Sequence, residues 1–214
     1  PPEVNGLRNF GGALLGTGAN SATAVQLLED HYRGLGPQQA NLFARDVAAV
    51  ADRAFTSNDQ FRAALDAAGP LGANFPRGFL GSQLRAIAET INIRSALGAG
   101  RQVFFAAIGG FDTHSNQASR LSSLQEEYAA GIAAFHQATV DLGVQNDVTL
   151  FTASDFGRSL LENGDGTDHG WGSHHFVVGG SVQGRNIYGD IPAYDTGHDY
   201  DSGNGRLIPN VAVE

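Results

Sequence analysis

Three short segments hold the residue types from which a metal site is built. Gly109-Gly110-Phe111-Asp112-Thr113-His114 comes first and Thr152-Ala153-Ser154-Asp155-Phe156-Gly157-Arg158 second. Asp168-His169-Gly170-Trp171-Gly172-Ser173-His174-His175 is the third. Four of the seven histidines fall within them. Neutral imidazole nitrogens and carboxylate oxygens form the ligand set of a divalent cation bound without thiolates. Cysteine is absent, which removes thiolate sites and disulfide frameworks alike. Asp112 and His114, one residue apart, can reach a single ion if the loop carrying them is irregular. Asp155 offers a further carboxylate, and Arg158 a bidentate fork suited to phosphate or sulfate. His169 and His174 are the candidates of the third segment. Trp171, the only tryptophan, reads as a pocket wall or a packing anchor.

Each feature also has a plain local reading. An Asp just ahead of a helix accepts hydrogen bonds from free backbone N–H groups. An Asp155–Arg158 ion pair can close around a helix start, and a lone loop histidine is commonly structural. If His174 and His175 lie in a strand, they point to opposite faces and only one can serve a common site. Imidazoles at 169, 174 and 175 together weigh toward the metal reading. His31 and His136 sit within helical patterns, and His198 lies in a Gly/Asp-rich tail. The chain has no Gly-rich phosphate loop, no Gly-x-Ser-x-Gly elbow and no His-Glu-x-x-His.

The elements that must carry these segments change character along the chain. The first hundred residues are alanine-rich and helical in pattern. Residues 21–33 form a short amphipathic stretch. Pro37 suits a first helical turn, after which Phe43, Val47, Val50 and Ala54 share a face. Ser57-Asn58-Asp59 reads as the cap of a new helix ending at Ala68. Leu80, Leu84, Ile87, Ile91 and Leu97 mark another, ending near Gly98. Residues 103–108 are a continuous apolar run and predict a buried strand. A long helix over 117–142 follows, with Leu121, Leu124, Tyr128, Ile132 and Phe135 on one face. Residues 148–152 and 176–178 predict two more strands, and 168–172 a loop. Strand, helix, strand at this spacing predicts a βαβ unit with parallel strands. The expected fold is therefore α/β, with a mainly helical region over 1–100 and an α/β metal-site region over 101–214 that pack as one unit.

Composition narrows the partners. Net charge is −9, without the basic stripe that a nucleic-acid binder carries. The same acidity argues against an anionic membrane surface, and no apolar run reaches transmembrane length. All thirteen basic residues are arginine, as a GC-rich coding sequence favours.

The three segments in this order resemble the DUF1501 family, a domain of unknown function. The resemblance rests on Gly110 to Gln117, on Ser154-Asp155-Phe156-Gly157-Arg158, on Gly166 to Gly180 and on Arg206-Leu207-Ile208-Pro209. It covers residues 79–214; the helical first part is similar in general character. Members are mostly bacterial, are exported folded by the twin-arginine route, and are grouped by fold with alkaline phosphatases and sulfatases. The resemblance implies part of an alkaline-phosphatase-like sheet of mainly parallel strands flanked by helices. It also implies a metal-dependent hydrolase of phosphate or sulfate esters, using zinc, manganese or iron, with a small anionic ester as substrate. By position, Asp112 and His114 serve one metal, Asp155 the other, and His169 or His174 is the late histidine ligand. Arg158 holds the anionic group or braces the ligand loop, and Trp171 lines the substrate site. Two departures stand out. Phe156 occupies the place of the histidine in an Asp-His pair. The early strand that supplies a metal aspartate and a Ser or Thr nucleophile has no counterpart, so the chain reads as a fragment, a processed form or the ordered part of a longer protein. The rival expectation is a non-catalytic exported binding or assembly protein that meets a cell-surface component.

Overall fold

Helices carry most of the regular structure. The computed structural model describes residues 19–34 and 41–211; the expected first-turn Pro37 lies outside them. Four helices are present among the described residues: α1 (Ala19–Gly34), α2 (Leu42–Ala68), α3 (Phe79–Asn92) and α4 (Gln117–Asp141). Four short strands follow: β1 (Leu150–Phe151), β2 (Gly157–Glu162), β3 (Thr167–Gly170) and β4 (Val177–Val178). None of these helices is long and apolar enough to cross a membrane.

The chain divides into two compact units. One comprises residues up to Leu71 together with Arg85–Phe104, the other Gly72–Leu84 together with Phe105 onward. In the first, Asn41 caps α2: its Oδ1 accepts from the Phe43 and Ala44 amides at 2.9 and 3.3 Å. The expected break at Ser57 does not occur, and α2 runs on to Ala68, where Gly69 at φ 72° ends it. Ser, Asn and Asp cost only fractions of a kcal/mol each in a helix. Asp59, moreover, accepts a 3.0 Å bond from Arg33 of α1. The expected apolar face is also overturned, because Phe43, Val47 and Val50 are exposed while Ala48 and Leu65 are buried.

The second unit holds the chemistry. α4 matches its expected span and face: Phe135 is buried, and Leu121, Leu124, Tyr128 and Ile132 are half-buried. Leu80 and Leu84, from the start of α3, lie over Gly131 of α4, where an added methyl would press on their side chains at 3.2–3.4 Å. The Leu80 amide donates to Glu127 Oε1 at 3.3 Å.

The expected parallel sheet is absent, and with it the α/β, alkaline-phosphatase-like architecture. β1 pairs with β4 and β2 with β3, both antiparallel, as two separate two-stranded sheets. Residues 103–108 form no strand, and Val103 and Phe105 are 92 % and 90 % exposed. A strand exists through its ladder. Among the described residues the only hydrogen bonds offered to this stretch come from Gln83, whose carboxamide takes the Ala107 N–H and C=O at 3.0 and 2.7 Å. Apolar periodicity records a preference for burial but cannot supply the neighbouring strand. The 168–172 stretch, expected as loop, instead contributes β3, with Arg158 opposite His169 and Gly157 opposite Gly170.

Candidate metal centre

Gly166 is the point of closest approach between the two chain segments that form the site. A Cβ there would lie within 2.5 Å of backbone atoms of Thr113 and His114, so only glycine lets the loops touch. Around it the Thr167 amide donates to Thr113 O at 3.3 Å, and the Gln117 amide to Asp165 O at 3.0 Å. Thr167 Oγ1 donates to Gln117 Oε1 at 2.9 Å. Thr113, 1 % exposed, anchors the loop, and its flanking residues Asp112 and His114 face outward. β3 then carries His169 to the same place.

Three donor atoms converge. Asp112 Oδ1 lies 2.8 Å from His169 Nε2 and 3.0 Å from His114 Nε2. The two Nε2 atoms are 3.3 Å apart. In tetrahedral coordination with bonds of roughly 2.0–2.1 Å, ligand atoms stand about 3.3 Å from one another, so the triangle has the size of one coordination face. Two imidazole nitrogens turned toward each other also repel unless a proton or a cation lies between them. The donor set therefore fits a divalent metal. All three side chains are about half exposed (47–57 %), which leaves the outer positions of such an ion open.

The surroundings hold the triangle in place. Arg158 donates through Nη1 to Thr167 O and through Nη2 to Phe111 O, both at 2.7 Å, and through Nη2 to Asp112 Oδ1 at 3.2 Å. Its buried Nε has no partner. Arg206 donates through Nε to His169 O at 3.0 Å and reaches Asp168 Oδ2 at 3.4 Å. Asp168 also accepts from Asn163 Nδ2 at 2.6 Å and faces His114 Nδ1 at 3.6 Å. The hydrogen bond from His169 holds the Asp112 carboxyl below its ordinary range, against partial desolvation, and the charges of His114, His169 and Arg158 add to this.

Of the residues singled out from sequence, Asp112, His114 and His169 form the one group among the described residues able to share an ion. Asp155 and His174 stand outside it, both exposed. The histidine with a partner in that stretch is His175, 3.4 Å from Thr152 Oγ1. Arg158 is engaged with the loops rather than presented to solvent, and Trp171 is 69 % exposed. Phe156 lies flat on His169, centroids 3.9 Å apart and planes 1° from parallel. Sequence reasoning missed the supporting roles of Gly166, Asn163 and Arg206. The signals of Gly166 and Arg206 were the Gly-Thr-Asp-His and Arg-Leu-Ile-Pro runs, which carry no chemistry until the loops meet, and Asn163 lay in neither.

No curated protein and no solved structure matches this chain. A family model described as "Protein of unknown function (DUF1501)" matches residues 17–202, and the chain belongs to that family.

Proposed function

We propose that this chain carries the metal centre of an exported, divalent-metal-dependent hydrolase acting on phosphate or sulfate esters. The observation behind it is the outward-facing triangle of Asp112 Oδ1, His114 Nε2 and His169 Nε2, with edges of 2.8, 3.0 and 3.3 Å. These three side chains would hold zinc, manganese or iron. When bound, such a cation supplies Lewis-acid polarisation of an ester oxygen. Asp112 would offer one carboxylate oxygen to the ion, and Arg158 keeps that carboxylate aimed. Arg158 and Arg206 lend positive charge around an otherwise acidic chain and so favour an anionic ester nearby. Trp171, two positions after His169, offers a flat apolar wall for the rest of the substrate.

A second reading is a non-catalytic exported protein that uses the same centre for binding. Phe156 favours it, since it fills with an apolar ring the position at which the family resemblance would set a ligand for a second metal. The two readings share the metal and differ in turnover.

Elemental mass spectrometry on the purified chain after zinc and manganese reconstitution tests the centre. Near-stoichiometric metal is expected, lost in both Asp112→Ala and His169→Ala. Absence of bound metal in the unsubstituted chain would sink both readings. Metal without release of phosphate or sulfate from a panel of aryl esters would leave the binding reading standing.

A further inference from the structure

His114 and His169 are aimed by different means. His114 has a carboxylate behind it, with Asp168 Oδ1 3.6 Å from Nδ1. His169 Nδ1 has no hydrogen-bond partner among the described residues, and the side chain is 47 % exposed. Rotation about the second side-chain torsion of histidine is soft, so an exposed ring with no partner on Nδ1 needs another restraint. The neighbour that supplies one is Phe156, parallel to within 1° at 3.9 Å between centroids.

Phe156 is itself well placed to act as a stop. It is half-buried and immediately precedes Gly157, which pairs with Gly170 at the start of the β2–β3 ladder. A Cβ on Gly157 would overlap the carbonyl of Gly172, two residues past β3, so the start of β2 lies tight against the chain that leaves β3. The Arg158 guanidinium carbon lies 5.2 Å from the Phe156 centroid, within reach of a cation–π attraction. The same guanidinium touches Asp112 Oδ1. One aromatic ring thus contacts both the histidine and the arginine that converge on the carboxylate.

We propose that Phe156 is a positioning residue for His169, and that the centre, with Arg158 beside its carboxylate, takes a single cation per chain. The flat ring holds the imidazole plane so that Nε2 points toward Asp112 and His114. The single-cation part rests on charge: the Arg158 guanidinium, 3.2 Å from Asp112 Oδ1, repels a second cation beside that carboxylate. The functional part rests on the metal reading above; the stacking does not.

The test uses the full chain as wild type, Phe156→Leu and Phe156→Tyr. Leucine keeps the apolar bulk and loses the flat face, and tyrosine restores it. Proton NMR of the metal-free chain is read first. Upfield ring-current shifts of the His169 Cδ2 and Cε1 protons, assigned with His169→Gln, are expected in wild type and Phe156→Tyr and not in Phe156→Leu. Wild-type shifts at unstacked values would overturn the proposal without any substitution at Phe156. Titration with cobalt(II), followed by its visible absorption, is read second. One equivalent per chain is expected, bound about tenfold or more weaker in Phe156→Leu, as outer-sphere losses typically cost, and regained in Phe156→Tyr. Equal affinity in wild type and Phe156→Leu would overturn the positioning role, and two equivalents in wild type would overturn the single-cation claim. Stacking shifts with no cobalt bound at all would overturn the metal reading instead, so the two failures are distinct.

Discussion

Asp112 Oδ1 receives three neighbours at hydrogen-bond distance, His169, His114 and Arg158, and Asp201 shows the same economy elsewhere in the second unit. Asp201 Oδ2 accepts from the Gly197 amide and Oδ1 from the Gly203 amide, each at 2.9 Å. These bonds, the Gly197 one foremost, lower its carboxyl below the ordinary range against partial desolvation. A depressed carboxyl stabilises the fold above the unfolded value of about 3.9, and that contribution disappears as pH falls through the lower, folded value. The Gly197 and Gly203 amide resonances should therefore titrate together, with a midpoint below 3.9. In Asp201→Asn both should be flat over the same range. A midpoint at or above the ordinary value would show that the two amides do not favour the charged form.

At the scale of elements, the β2–β3 hairpin and the loop before α4 are one construction. The loop supplies Asp112 and His114, with donor atoms 3.0 Å apart, and the hairpin brings His169 to them only where Gly166 lets the two touch. Gly166→Ala puts a methyl within 2.3 Å of the His114 carbonyl carbon, and backbone cannot yield as a flexible side-chain end does. Overpacking of this kind costs about 1–3 kcal/mol, measurable as a lowered urea midpoint at unchanged slope. The same variant should lose metal while keeping the helical far-ultraviolet signal, because α2 is capped by Asn41 and α4 packs on Leu80 and Leu84 at Gly131, well beyond the Gln117 end that meets this contact. A Gly166→Ala chain with full stability and full metal content would show the approach to be looser than the structure has it.

Across the whole molecule, large apolar side chains stand open to solvent in both units: Phe43, Val47 and Val50 in the first, Phe105, Phe151, Phe176 and Val177 in the second. Scattered exposed apolar groups are ordinary, but contiguous ones mark surfaces that bind something. The chain should therefore bind an environment-sensitive naphthalene dye at neutral pH. The combined substitution Phe105→Ser with Phe151→Ser should reduce that signal without lowering helix content. Wild-type fluorescence at the level of a fully covered protein would mean these side chains are shielded in solution. Net charge of −9 opposes indiscriminate association of copies and makes any self-association salt-dependent.

What the sequence alone determined lies close in the chain. The span and apolar face of α4 follow from a 3.6-residue period. The end of α2 at Gly69 follows from glycine's freedom at positive φ. Asp112 and His114 were legible as a ligand pair because they are two positions apart in one loop. His169 was legible as a residue type, though Asp155 and His174 looked just as suitable, and only the β2–β3 register sets His169 against the pair and leaves the others outside. The partners of each strand were decided by tertiary structure. An apolar run such as 103–108 states that burial is favourable without stating against what, and antiparallel pairing of β1 with β4 across 25 intervening residues leaves no local trace. The surroundings of Phe156 belong to the same class: read along the chain it is a departure from a pattern, and only the tertiary structure stacks it on the ring of His169.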